Sequence, residues 1–117
     1  MRRKIRKFVF IGYLLRFNMK YYIILTSYVV PTEMVVEHTP AHRAHLAEYY
    51  KKGVMLFSGP MEPRTGGILY AHAEDVSVIE EMVSVDPFKT TGCANFQIIE
   101  MKPVMWAEAL NNLFGTP

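Results

Sequence analysis

One cysteine, one tryptophan and no apolar run long enough to cross a bilayer are what this sequence of 117 residues has least of. The lone Cys93 excludes an intrachain disulfide and any cysteine-rich zinc site, and it fits a reducing compartment, so a cytoplasmic location is expected. Placed after Gly92 beside a predicted strand, it reads as a small buried thiol rather than a nucleophile. The apolar stretch nearest the N-terminus, Phe8–Leu15, is cut off by Arg16 and followed by no small-x-small cleavage site. That argues against both a secretory signal and a membrane span. Internal repeats and low-complexity segments are also missing.

Basic residues are scarce too, once their distribution is considered. The formal charge of +2 is misleading, because residues 1–18 hold Arg2, Arg3, Lys4, Arg6, Lys7 and Arg16 and no acid. The remaining residues carry seven Lys/Arg against eleven Asp/Glu, a net of −4. A mildly acidic body lacks the clustered basic face that neutralises phosphates, so no nucleic-acid partner is expected. Met19-Lys20 opens the first convincing strand. Residues 1–18 are therefore expected to be an upstream extension outside the fold, with Met19 the natural start. The alternative, should that segment be translated, is a basic amphipathic appendage on an anionic membrane surface.

What is present is a core: half of the residues are apolar, enough for one domain and too few residues for two. Lys20–Tyr28 is rich in β-branched and aromatic residues and predicts strand one. Thr39 as N-cap and Pro40 at the first helical position predict a helix over 40–52, ended by Gly53. Val54–Ser58 predicts a second strand stopped by Gly59-Pro60, and Gly67–His72 a third. Val76, Ile79, Met82 and Val83 recur at helical spacing after Glu74-Asp75, and Pro87 should end that helix near Val85. Asn95–Met101 predicts strand four, and Trp106–Phe114 a short apolar helix in a tail over 104–117.

The order β-α-β-β-α-β predicts an α+β, ferredoxin-like fold, a four-stranded antiparallel sheet with both helices on one face. The strands do not alternate cleanly. Tyr22 and Ile24 point one way while Tyr21, Ile23 and Leu25 point the other, and Val54 and Leu56 oppose Met55 and Phe57 in the same manner. So much apolar area argues for a covered second face. The expected cover is a second copy of the chain, a homodimer through the open sheet face. The competing cover is the Trp106–Phe114 tail folded back.

The chemistry-bearing residues are His45, Ser58 and Asp86. A carboxylate bonded to one ring nitrogen of a histidine fixes the tautomer of the other, so His45 and Asp86 are a candidate proton-transfer pair. His45 lies about 100° round the helix from Leu46, at the edge of the buried stripe. Asp86 near a helix C-terminus meets the negative end of the dipole and needs a compensating partner. The plainer readings are a half-buried structural histidine and an Asp-Pro turn. The spacing of His38, His42 and His45 would suit one helix face, but there is no His-Glu-x-x-His pattern or second ligand cluster and His38 precedes the expected N-cap, so no metal site is expected. Ser58 sits in no Gly-x-Ser-x-Gly elbow, so it is not expected to be a nucleophile; Ser58-Gly59-Pro60 reads either as a place where backbone can approach a ligand or as a plain strand-ending turn.

His45-Leu46, the Gly53 stop, Ser58-Gly59-Pro60, Gly66-Gly67 and Asp86-Pro87-Phe88, in that order over residues 19–103, resemble the YCII-related (YciI-like) proteins. The resemblance implies a dimeric α/β barrel of two ferredoxin-like subunits. It also implies a site built from a histidine and an aspartate, which on this chain are His45 and Asp86. Relatives of the muconolactone isomerase and chloromuconolactone dehalogenase type are implied as well. His42, His38 and the tail after Pro103 depart from the lean family pattern. The resulting expectation is a small-molecule enzyme in which Asp86 orients His45 and His45 moves a proton on a small organic acid or lactone. Isomerisation or elimination would proceed without metal or organic cofactor, with Ser58, Gly59, Pro60 and Phe88 contacting the ligand. The alternative is a non-catalytic ligand-binding or interaction module in which the pair is structural.

Overall fold

A computed structural model describes residues 18–115, and the basic extension lies, apart from Asn18, outside the described residues. The chain runs β1 (Lys20–Tyr28), α1 (Thr32–Lys51), β2 (Met55–Pro60), β3 (Gly66–Ala73), α2 (Val76–Ser84), α3 (Pro87–Thr90) and β4 (Ala94–Met101). A single 3-10 turn, Glu108–Leu110, and the short α4, Asn111–Phe114, follow. The strands form one antiparallel sheet in the order β2-β3-β1-β4, the ferredoxin-like arrangement. Among the described residues no helix is long and apolar enough to cross a membrane.

Tyr22 and Ile24 of β1, Met55 of β2 and Leu69, Ala71 and Ala73 of β3 fill one face of the sheet. Against them pack Leu46 and Tyr49 of α1 and Ile79, Met82 and Val83 of α2. A second cluster, Val35, Phe88, Cys93 and Ala94, closes the end of the sheet where α3 sits. Cys93 is buried there, as its neighbours suggested. The Tyr22 hydroxyl, buried without a hydrogen-bond partner among the described residues, has a pKa above the ordinary 10.0 because of burial first, then the carboxylates of Glu100, Asp75 and Glu80. It therefore stays neutral in the core.

Two local expectations need correction. The first helix starts eight residues earlier than predicted, so Pro40 lies inside it and Thr39 is not its N-cap. Proline removes one helical donor, but Pro40 and Val36 are both exposed, so water can serve the carbonyl left over. The Thr39 hydroxyl instead reaches back to the Val35 carbonyl at 2.7 Å. Secondly, Pro87 does not merely end a helix. Asp86 caps a new one, accepting the Phe88 N–H at 2.9 Å with Pro87 in the first turn.

Gly66-Gly67 has a packing reason. A Cβ on Gly66 would collide with the Thr26 carbonyl oxygen, while the Gly67 N–H donates to Thr26 Oγ1 at 2.7 Å. β1 and β3 close on each other here, next to the helix-side cavity described below.

The far face of the sheet is partly covered by the tail. The Tyr21 hydroxyl donates to the Leu113 carbonyl at 3.1 Å, and the Phe114 ring lies 4.8 Å from the Tyr21 ring. Trp106 Nε1 closes the tail on itself through Asn111 Oδ1 and the Gly115 carbonyl. The tail reaches only one end of the face. Phe57, Ile68 and Ile99 remain 61 %, 40 % and 37 % exposed.

Candidate functional site

Between α1 and the helix-side face of the sheet lies an open cavity of about 290 Å³. Thr26 and Tyr28 of β1 and Gly67 and Leu69 of β3 form its floor, and Thr39, His42, Arg43 and Leu46 of α1 form its wall. Ser58, Gly59, Pro60 and Arg64 make the rim, and Phe88 closes the end. Each side is set by ordinary secondary-structure geometry. Thr26 and Tyr28 are two apart on one strand and share a face, and His42 and Arg43 each sit three or four positions from both Thr39 and Leu46 along one helix.

One lining residue, His42, is held by a carboxylate buried behind it. His42 Nδ1 lies 2.8 Å from Asp86 Oδ1 and 2.9 Å from Oδ2. The Asp86 side chain is 1 % exposed and that of His42 12 %. The Phe88 ring lies flat on the imidazole, with 4.0 Å between centroids and 10° between planes. Asp86-Pro87-Phe88 therefore grips one imidazole by its edge and its face: the carboxylate takes the ring N–H, the aromatic ring fixes the plane, and proline presets the turn that holds both. With Nδ1–H donating to the carboxylate, Nε2 is the nitrogen with a free lone pair, and it has no hydrogen-bond partner among the described residues.

The pairing anticipated between His45 and Asp86 is not the one observed. His45 is one helical turn further along α1, and its Nε2 donates to the Met82 carbonyl at 2.8 Å, with its ring set edgewise on Tyr49. Met82 lies in the last turn of α2, where carbonyls lack helical donors and a partial negative charge collects, so an imidazole N–H is well placed there. The carboxylate beyond the end of α2 is served by His42 instead. Two histidines three residues apart divide between them the two acceptors at the α2–α3 junction.

The other anticipated residues fall on the cavity. Ser58, Gly59, Pro60 and Phe88 all line it. The Ser58 hydroxyl is hydrogen-bonded to Tyr50 Oη at 2.7 Å, which fastens the rim strand to α1. Sequence reasoning missed His42 as the partner of Asp86, and it missed the two arginines. Arg43 and Arg64 are the only arginines after residue 18, which is the signal that could have singled them out. Arg64 Nη2 donates to Thr39 Oγ1 at 3.2 Å. Among the described residues no group of three or more His, Cys, Asp or Glu side chains converges in a way that could hold a metal ion.

The YCII-related domain profile matches residues 19–102, most of the chain. The chain belongs to the YCII-related family. No curated protein matches it. Among solved structures this family member is similar to the 5-chloro-2-hydroxyhydroquinone dehydrochlorinase TftG from Burkholderia phenoliruptrix AC1100, determined in complex with 2,5-dihydroxybenzoquinone. The two share 22 % identity with a TM-score of 0.61, over 70 % of this chain and 93 % of the other. At that identity the likeness establishes the fold, and the fold agrees with the sheet order described above.

The buried pair makes a prediction about stability. Replacing Asp86 by Ala removes both the α3 cap and the acceptor for a nearly buried imidazole N–H, and is expected to cost about 2–4 kcal/mol. Asp86→Asn keeps one oxygen for the Phe88 N–H and should cost about 1 kcal/mol. Urea unfolding of the three proteins measures both, and equal stability of wild type and Asp86→Ala would contradict the pairing.

Proposed function

We propose that this YCII-related protein is a small-molecule enzyme of the lyase or isomerase type in which His42, oriented by Asp86, moves a proton at a carbon next to a carbonyl. The observation that carries the reading is the buried Asp86–His42 pair at the wall of an open cavity. A carboxylate on Nδ1–H sets the tautomer, turns Nε2 into the basic nitrogen and stabilises the imidazolium formed when it takes a proton. Phe88 stacked on the ring removes the rotational freedom that would otherwise have to be lost in the transition state. The residue given the proton-transfer role is thus His42, with His45 the tie between α1 and α2.

The reaction balances without an added reductant or oxidant. The C–H bond gives its proton to Nε2, and its electron pair moves into the adjacent carbonyl system as an enolate. Collapse of that enolate either expels a leaving group from the next carbon, forming a double bond, or takes the proton back from Nε2 at a different carbon. The first outcome is elimination and the second isomerisation. That a dehydrochlorinase shares the fold supports this class of chemistry, and its dihydroxybenzoquinone ligand is of a size that suits a cavity of about 290 Å³.

Proton exchange tests the reading without knowledge of the substrate. In D2O, wild-type protein is expected to speed hydrogen–deuterium exchange next to the carbonyl in a panel of small oxo acids, lactones and hydroxyquinones, followed by NMR. His42→Gln should lower that rate by roughly 10²–10⁴-fold while the fold persists. An undiminished rate in folded His42→Gln, or no acceleration by wild type across the panel, would overturn it.

We infer also that the protein forms a homodimer through the uncovered part of the sheet. Ile68 and Ile99 together with Ile23 and Leu25 make an apolar surface beside the groove that Phe57 shares with the tail. Sedimentation at micromolar concentration is expected to give a dimer for wild type and a monomer for Ile68→Asp/Ile99→Asp. A wild-type monomer would contradict this assembly.

A further inference from the structure

We propose that Arg43 and Arg64 form an anion clamp that makes the site select carboxylates over neutral carbonyl compounds of the same shape. The inference deepens the proton-transfer reading above and rests on it for the identity of the cavity. The domain after residue 18 has a net charge of −4 and only two arginines, yet both line this one cavity, and none of its lining residues is an aspartate or glutamate. One arginine comes from α1 and the other from the loop between β2 and β3, 21 positions apart, so no local sequence feature explains their convergence.

Neither guanidinium is neutralised by a carboxylate among the described residues. Arg64 is the sharper case. One of its terminal nitrogens is spent on Thr39 Oγ1, and its Nε–H is buried with no acceptor among the described residues. With no carboxylate on it, the guanidinium keeps donors at the cavity rim to offer, and its planar donor fork matches a carboxylate. Thr39 holds the fork in place because its own hydroxyl proton is committed to the Val35 carbonyl, which leaves its oxygen lone pairs to face Arg64.

The clamp has a chemical use beside His42. Proton abstraction next to a carbonyl develops negative charge on oxygen, and fixed cations at the same cavity wall stabilise that charge where a neutral lining would not. A ligand carboxylate on the arginines would also hold the reacting carbon at one distance from the imidazole. The predicted substrate is therefore an acid, and a lactone would be a poor ligand or the released product.

Calorimetric titration of the full chain at low ionic strength tests this with 2-hydroxybenzoate, its uncharged analogue 2-hydroxybenzamide, and inorganic phosphate. The acid is expected to bind at least tenfold more tightly than either the amide or phosphate. Arg43→Gln and Arg64→Gln should each erase most of the preference over the amide, through loss of acid affinity. Arg43 is exposed, so its variant keeps the test alive should Arg64→Gln fail to fold. His42→Gln should retain the acid preference while losing proton exchange, which separates the clamp from the proton-transfer reading. Equal affinity for acid and amide, no acid binding at millimolar concentration, an acid preference that survives in the folded arginine variants, or phosphate binding as tightly as the acid would each overturn the proposal.

Discussion

A carboxylate that is 1 % exposed has to be satisfied by the protein, and the way Asp86 is satisfied determines the rest of the site. One of its oxygens caps α3 through the Phe88 N–H, and both face His42 Nδ1. The cap fixes where Phe88 points, and Phe88 in turn covers the imidazole that the carboxylate holds. Helix capping, aromatic stacking and tautomer selection are thus one local structure of three consecutive residues closing on a fourth. Removing the carboxylate would loosen the short helix, the ring and the cavity wall together.

The placement of that structure follows from the fold. Antiparallel pairing of β1 with β3, tight at Gly66-Gly67, brings the β2–β3 rim over the end of the sheet opposite α1. α1 begins at Thr32 and runs past this end, and its Thr39, His42 and Arg43 line the cavity that faces the strands. His45 then anchors the same helix to the last turn of α2 through the Met82 carbonyl. With α1 tied at one turn and His42 gripped one turn earlier, the helix has little freedom to shift the imidazole, the kind of preorganisation that proton transfer requires.

Much of the fold was legible in the sequence. The bounds of β1 were readable from its β-branched and aromatic run, and the order of strands and helices from turn residues and helical spacing. The beginning of α1 was not, because Thr39-Pro40 is a strong local signal for a helix start and nothing local reveals that the preceding residues are also helical. Proline is tolerated there because its face meets water. The helix α3 was hidden for a related reason: Asp-Pro reads equally as the end of one helix and the start of another. Asp86 could be named from the chain because turn chemistry marks it, whereas Ser58-Gly59-Pro60, which reads as a turn, is the paired end of β2. The partner of Asp86 could not, because His42 and His45 differ by three residues on one helix, and which of them meets the carboxylate depends on how α1 lies across the α2–α3 junction. That angle is set by core packing among residues distant in sequence.

Nitrogen NMR of the histidine side chains in the intact protein addresses the central relation most directly. If Asp86 holds His42, the neutral His42 ring carries its proton on Nδ1 and shows a strongly downfield, exchange-protected signal that disappears in Asp86→Asn, while the neutral His45 ring carries its proton on Nε2. A His42 ring protonated on Nε2 when neutral, or a protected Nδ1 proton assigned to His45 instead, would contradict the account.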